Sequence, residues 1–401
     1  MKYIDEINVS GKTVVLRSDF NVPLKDGQVS DDSKIIKSLP TIKYIVDNGG
    51  KAVILSHFGR VKTPEDKEGK SLGVIASYLK NVLKKEVVFI NTTRDESLKG
   101  NIDALPFGSV ILLENTRFED LNNKAESSNN LELAKYWSTL GDIFCLDGFG
   151  SSHRAHASTA GIGKYIPWCL GFLMKEELTN LNYLVNNPAR PFSIIMGGAK
   201  IDDKIKLIEN LMPKCDYFLA TGGIANSFLK ALGFSIGSSI ATDDTSLIMK
   251  LREIMLNNKN KILLPLDATC GSTYEDNYVK YKSIADIGAD EIIYDIGVKT
   301  IEKYKIAIDK SKTIFVNGTS GMYEDSRFSN GTQQMFNNLA LSNADVYVGG
   351  GDSVAAAKKL GFEAKFKYMS SGGGATLDYL GDGKLGAVDY LLENGYEDVN
   401  A

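Results

Sequence analysis

The sequence has 401 residues, with 46 Lys and Arg against 50 Asp and Glu, a formal net charge of −4. That balance argues against a general nucleic-acid binder, which needs a basic surface, but leaves room for a local basic cleft that takes a small anion. With 43% hydrophobic and 24% charged residues, the chain reads as globular and long enough for two domains. The four cysteines, Cys145, Cys169, Cys215 and Cys270, lie far apart, with no CxxC pair and no Cys/His ligand spacing. They read as reduced core residues of a cytosolic protein rather than a disulfide set or a zinc site. The first residues lack the apolar stretch of a signal peptide, and no apolar run is long enough to span a bilayer.

In chain order, short apolar runs predict strands at Thr13–Leu16, Ala52–Leu55, Val110–Leu113, Ile143–Leu146, Phe192–Met196, Tyr217–Leu219, Ile262–Leu264, Thr313–Val316 and Val346–Val348. Helix-like stretches separate them, so the fold class is α/β with parallel sheets covered on both faces. The composition changes near 175–191, where a helix from about Lys175 to Val185 ends in a proline-marked segment; this is the best boundary between domains. No fixed-period repeat or low-complexity segment stands out.

Ligands of open α/β sheets bind beyond the carboxyl ends of the strands, so the residues after each run matter most. In the first half these loops carry charge: Arg17, Asp19 and Asn21, then His57 and Arg60, then Glu114 and Arg117, then His153, Arg154 and His156. Any one of these arginines or histidines, taken alone, is more often a surface or core residue. All three histidines of the chain, however, sit beside arginines at predicted strand ends. Arginine offers a planar fork that matches carboxylate and phosphate oxygens. The constellation calls for a small ligand with at least two anionic groups and a hydroxyl.

In the second half the loops are glycine-rich. Gly349-Gly350-Gly351-Asp352-Ser353 opens a predicted helix, and Gly372-Gly373-Gly374 repeats the arrangement. A helix start favours phosphate. Gly197-Gly198-Ala199-Lys200 is followed by Lys204, predicted one helical turn away on the same face, where polyphosphate would relieve their repulsion. No P-loop is present, because Pro64 stands where its first glycine is needed, and no GxGxxG follows a strand at the N-terminus.

These loops, in this order, resemble the phosphoglycerate kinase family over essentially the whole chain. The resemblance implies two Rossmann-like three-layer domains with mostly parallel sheets facing a cleft. It implies a triose-phosphate-binding domain at 1–174 with 385–401 packed back onto it, a connecting helix and hinge at 175–191, and a nucleotide-binding domain at 192–384. By motif the triose site falls on Arg17, Asp19, Asn21, His57, Arg60, Arg117, Arg154 and His156. The Mg-ADP or Mg-ATP site falls on Lys200, Lys204, Asn317, Glu324 (on the ribose), Gly349, Gly350, Gly351, Asp352 and Ser353, with Asp352 meeting Mg2+ through the nucleotide. Lys34, Lys200, Gly350 and Gly351 surround the transferring phosphoryl group. A reversible glycolytic transfer between 1,3-bisphosphoglycerate and ADP, by a cytoplasmic monomer with no nucleic-acid or membrane partner, is the implied function.

The chain departs from the family pattern at several points. Lys34 replaces an arginine that contacts the transferring group, which predicts a slower enzyme or an altered substrate geometry. Val316-Asn317-Gly318-Thr319 and Asp295-Ile296-Gly297-Val298 each lack the family's proline, which predicts looser loops. Thr221-Gly222-Gly223-Ile224-Ala225-Asn226 replaces Gly-Gly-Gly-Met-Ala-Phe, Gly148 replaces an alanine, and Tyr368 replaces a histidine. These departures keep two alternatives open: a paralogue acting on another carboxylate, and a weakly active or non-catalytic binding protein of the same fold. A dinucleotide dehydrogenase is disfavoured by the missing fingerprint.

Overall fold

The computed structural model describes residues 1–272 and 279–396. It divides into two compact units, one formed by Met1–Thr179 and the segment from Lys384 onward, the other by Asn180–Gly383.

The first unit holds β1 (Thr13–Arg17), the hairpin β2 (Leu24–Lys25) and β3 (Gln28–Val29), β4 (Lys51–Leu55), β5 (Val87–Ile90), β6 (Val110–Leu113), β7 (Ile143–Leu146) and β8 (Trp168–Leu170). Its helices are α1 (Ser33–Asp47), α2 (Gly73–Leu83), α3 (Leu98–Asp103) and α4 (Leu131–Ser138). The six-stranded sheet runs β5-β6-β4-β1-β7-β8, with every pair parallel. β1, β4, β6 and β7 are buried at every position, which is why they read as unbroken apolar runs rather than as alternations. Register aligns Arg17 with Leu55 on one side and with Leu146 on the other, and Ile54 with Leu112. The four carboxyl ends therefore finish level, and the loops that follow them emerge on one edge.

α5 (Phe172–Asn186) starts earlier than its sequence pattern suggests, and the boundary between the units falls inside it. Its first turn is capped from β7. Asp147 Oδ1 accepts the amides of Leu173 at 2.9 Å and Met174 at 3.2 Å. Gly171 makes this approach possible, since a Cβ there would lie 2.2 Å from the Asp147 carboxyl carbon. Burial pushes Asp147 up to about 7, against hydrogen bonds from Thr41, Met174 and Leu173 that favour the carboxylate. A carboxyl raised above its unfolded value of about 3.9 stabilises the fold most in acid and loses that contribution as pH climbs through about 7. Asp147→Asn keeps an acceptor for the two amides. It is expected to lower the melting temperature at pH 5 and to lower it less, or raise it, at pH 8. A cost that grows with pH would overturn this reading.

The second unit holds β9 (Phe192–Met196), β10 (Tyr217–Ala220), β11 (Ile262–Leu263), β12 (Asp267–Gly271), β13 (Lys280–Ser283), β14 (Ile292–Ile296), β15 (Thr313–Asn317), β16 (Asp345–Gly349) and β17 (Tyr368–Met369). Its helices are α6 (Ile205–Leu211), α7 (Gly222–Ala231), α8 (Thr245–Asn257), α9 (Val298–Lys310), α10 (Asn330–Leu341), α11 (Gly351–Lys359) and α12 (Gly374–Asp382). The parallel sheet runs β11-β10-β9-β15-β16-β17, and an antiparallel sheet β13-β12-β14 lies beside it in sequence. Consecutive strands step outward from β9 in one direction and from β15 in the other. The strand order thus reverses between β9 and β15, and such switch points are where ligands bind.

α13 (Gly386–Asn394) belongs to the first unit. The Ala387 amide donates to Ser152 O at 2.9 Å and the Tyr396 amide to Gly163 O at 2.7 Å. The last part of the expected returning tail, residues 397–401, lies outside the described residues. The four cysteines are buried and unbridged. No helix among the described residues is long and apolar enough to cross a membrane.

Candidate active site

In the first unit the loops after β1, β4 and β6 are tied together by their own polar groups. Phe20 N donates to Ser56 Oγ at 2.8 Å, and Gly59 N donates to Asn21 Oδ1 at 2.9 Å. Asn115, to which the sequence reading gave no role, is the hub. Its Oδ1 accepts the amides of Phe58 and Arg117, both at 3.0 Å, and its Nδ2 donates to Phe58 O at 2.7 Å and Lys70 O at 2.9 Å. The available signal was a fully polar pair, Glu114-Asn115, directly after a buried strand. Lys34, in the first turn of α1, pairs with Asp19 Oδ2 at 2.9 Å.

Arg60 and Arg154 are exposed on this edge, while Arg117 is half-buried and pairs with Asp120 Oδ2 at 2.8 Å. Arg17 differs from the sequence expectation. It does not follow β1 but ends it, and it is 1% exposed. Its Nε donates to Ser158 Oγ at 2.7 Å, another guanidinium N–H donates to Ser18 O, and a third lies 3.2 Å from His57 Nδ1. Ser158 in turn donates its amide at 3.0 Å and its hydroxyl to the fully buried Glu126. Burial raises Glu126, and Arg17 is the main charge opposing that rise. Arg17 thus answers an internal carboxyl and braces His57. Sequence reading missed Glu126 and Ser158, because neither stands at a strand end.

A guanidinium can only donate, so His57 Nδ1 is the acceptor and the ring proton sits on Nε2. The electrostatics agree. Burial, with the cations Arg17, Arg117 and Lys34 outweighing Asp19, lowers His57 to about 3. Burial with Arg117 and Arg17 lowers His156 to about 4. Both imidazoles are neutral at pH 7. Burial would raise Asp19, but Lys34, His57 and Arg17 outweigh it and hold the carboxyl at about 2. Because His57 is uncharged near neutrality, Lys34 and Arg17 carry that effect.

In the second unit the β9 and β15 loops meet at the switch point. Gly197 N donates to Asn317 O at 2.8 Å, and Gly198 N donates to Thr319 O at 3.0 Å. Gly318 has φ +87, and a Cβ there would lie 2.3 Å from Gly197 O, so only glycine fits the crossing. Thr319, where the family has proline, ties its loop by donating Oγ1–H to Gly321 O at 3.1 Å. At the other altered loop, the Asp267 carboxylate caps α9 by accepting the amides of Lys299 at 3.0 Å and Thr300 at 2.8 Å. Each loop expected to be loose without proline is thus held by a side-chain hydrogen bond.

Gly350 has φ +93, and its missing side chain admits Asn317 Nδ2, which donates to Gly349 O at 2.8 Å. Asn317 Oδ1 is buried without a partner. Ser353 accepts Gly318 N at 3.0 Å and donates to Gly349 O at 2.6 Å. Gly351 and Asp352 lie exposed in the first turn of α11.

The expected pairing of Lys200 and Lys204 on one helical face is not found. Lys200 lies exposed ahead of a short 3-10 turn, Asp202–Lys204, and α6 begins only at Ile205. The physical reason is the backbone of the preceding glycines: Gly198 at φ +91 turns the chain, and Lys204 Nζ reaches back to Gly197 O at 2.6 Å. Burial lowers Lys204 to about 8, against the pull of Asp352 and Asp203.

Beside these loops lies a cavity of about 260 Å³, lined among others by Gly198, Gly223, Ile240, Tyr294, Glu324 and Asp352. The second glycine triplet, which opens α12, does not line it. Asp295, also on the lining, is raised to about 7 by burial against the amides of Gly331 and Ile296.

A family model described as phosphoglycerate kinase matches residues 4–384. A phosphoglycerate kinase of Macrococcus caseolyticus is 45% identical over 394 residues, covering 98% of this chain and 99% of that protein. One from Enterococcus faecalis is 45% identical over 383 residues, covering 94% and 96%. The solved phosphoglycerate kinase of Coxiella burnetii superposes with a TM-score of 0.87 at 36% identity, covering 98% of this chain and 99% of that one. With this similarity running the length of both units, the chain belongs to the phosphoglycerate kinase family and is a phosphotransferase with a carboxyl group as acceptor.

Proposed function

We propose that the first unit binds the triose-phosphate acid and the second binds Mg-ATP or Mg-ADP, so that the chain moves a phosphoryl group reversibly between 1,3-bisphosphoglycerate and ADP. The products are 3-phosphoglycerate and ATP, the setting is glycolysis, and the working form is a cytoplasmic monomer. The observation that carries the assignment of the first site is electrostatic. Lys34, Arg60, Arg117 and Arg154 bring charge to one sheet edge, while His57 and His156 stay neutral there. A carboxylate nucleophile is ionised at neutral pH and needs no general base. The edge therefore binds and orients: Arg60, Arg117 and Arg154 hold anionic oxygens, His57 donates Nε2–H, His156 borders them, and Asp19 and Asn21 address the hydroxyl. Arg17 acts from behind, through His57.

In the second unit, Gly350, Gly351 and the α11 start offer amides to phosphate, and Ser353 and Asn317 hold that turn in shape. Lys200 and Lys204 supply charge, and Glu324 faces the ribose. No group of three His, Cys, Asp or Glu among the described residues could hold a metal. The exposed carboxylate of Asp352 suits Mg2+ that arrives on phosphate oxygens, since magnesium uses one or two carboxylates plus substrate phosphates. When bound, the ion neutralises phosphate charge. Positioning and charge stabilisation carry such a transfer. The test is steady-state turnover with 3-phosphoglycerate and Mg-ATP, with the acyl phosphate removed by a coupling reaction. Turnover is expected. Calorimetric binding of both ligands without turnover would favour a non-catalytic binder, and turnover only with another carboxylic acid would favour a paralogue.

A further inference from the structure

The cavity of the second unit has an apolar wall made by Ile240, Ile284 and Ile293, and Asn226 of α7 sets an amide into its lining. Asn226 is 4% exposed. Its Nδ2 donates to Ile240 O at 3.1 Å. A carbonyl only accepts, so the amide cannot be turned around: nitrogen must face Ile240 and Oδ1 the other way. No described residue donates to Oδ1, and it is not among the buried atoms that lack a partner. An acceptor of fixed orientation is thus left open in a half-open, mostly apolar cavity.

Two of the lining carboxylates are already engaged at the backbone. Asp267 caps α9, and Asp295 accepts Gly331 N at 2.5 Å and Ile296 N at 2.9 Å. The wall segment that carries Ile240 is stitched to α7 nearby, with Thr242 N donating to Ser227 Oγ at 3.1 Å and Lys230 Nζ to Thr242 O at 3.1 Å. The acceptor is therefore positioned from two sides.

We propose that Asn226 reads the nucleotide base, using Oδ1 to accept a hydrogen bond from the exocyclic amine of adenine and so to disfavour a base with a carbonyl at that position. This rests on the nucleotide-site reading given above. The physical basis is asymmetric. An amine meets the acceptor, whereas a carbonyl sets acceptor against acceptor and leaves both unpaired, and a site built to receive an N–H rejects the analogue that lacks it.

The test compares Mg-ADP with Mg-IDP, in which a carbonyl replaces the amine and the neighbouring N1 carries a hydrogen, by calorimetry on the full chain and on Asn226→Leu and Asn226→Ser. The parent is expected to bind ADP at least about tenfold more tightly than IDP. Both variants are expected to bring the ratio close to one, chiefly by losing ADP affinity. A role limited to stitching Ile240 would weaken both nucleotides alike and keep the ratio, which would overturn the proposal. Equal binding of ADP and IDP by the parent would overturn it without any variant. If the parent binds neither nucleotide, the site reading itself fails along with it.

Discussion

Lys34→Ala is expected to lower kcat by about 10²–10³-fold, the range seen when one preorganised donor is removed from a charge-stabilising site. Lys34→Arg is expected to raise kcat several-fold above the parent. The ammonium of Lys34 is a single point of charge, and Asp19 Oδ2 already engages it at 2.9 Å. A guanidinium could keep that contact and still present further N–H groups to a phosphoryl oxygen. Removing Lys34 also takes from Asp19 the nearest of the charges that hold its carboxyl at about 2. Loss through Asp19 alone would raise KM for 3-phosphoglycerate, whereas loss of a transition-state contact lowers kcat and kcat/KM together. The measurement is a full saturation series for the parent and both variants. If Lys34→Ala keeps kcat within about twofold, Lys34 has no part in transfer.

Arg17→Met is expected to cost about 3–5 kcal/mol of stability, as when one partner of a buried pair is removed. The guanidinium and Glu126 are both out of contact with water, joined through Ser158. Without Arg17 the Glu126 carboxyl keeps its burial and loses its main charge partner, so it must take up a proton. The sign follows from that. A carboxyl whose folded pKa is raised is easiest to bury in acid, so the loss should be smaller at pH 5 than at pH 8. Urea unfolding of Arg17→Met and of Arg17→Met combined with Glu126→Gln checks this, the double variant being expected to recover part of the loss. A loss under about 1 kcal/mol, or one independent of pH, would show that the chain tolerates Glu126 alone.

The elements that read clearly were those whose signal is local. β1, β4, β6 and β7 are buried on both faces, so burial writes itself into the sequence as unbroken apolar runs. The glycines at 318 and 350 were legible because close backbone approach admits no side chain. Lys200 and Lys204 were misread because spacing alone cannot tell a helix from a loop turned by Gly198. Arg17 was placed with its neighbours because an arginine at a strand end looks the same whether it faces solvent or Glu126. The α5 cap was invisible, since Asp147 and the amides it receives are separated in sequence by the whole loop and β8.

By itself, then, the sequence determined the α/β class, the strands β1, β4, β6, β7, β9, β10, β11, β15 and β16, the family, and which loops carry charge and which carry glycine. Those properties depend on residue type and short-range order, and they survive in a linear reading. The tertiary structure decided which charges are available. It set Arg17 against Glu126, paired Lys34 with Asp19 and Arg117 with Asp120, left Arg60 and Arg154 exposed, and held His57 and His156 neutral. A side chain's charge and reach are settled by burial and by partners distant in sequence, and only folding brings those together.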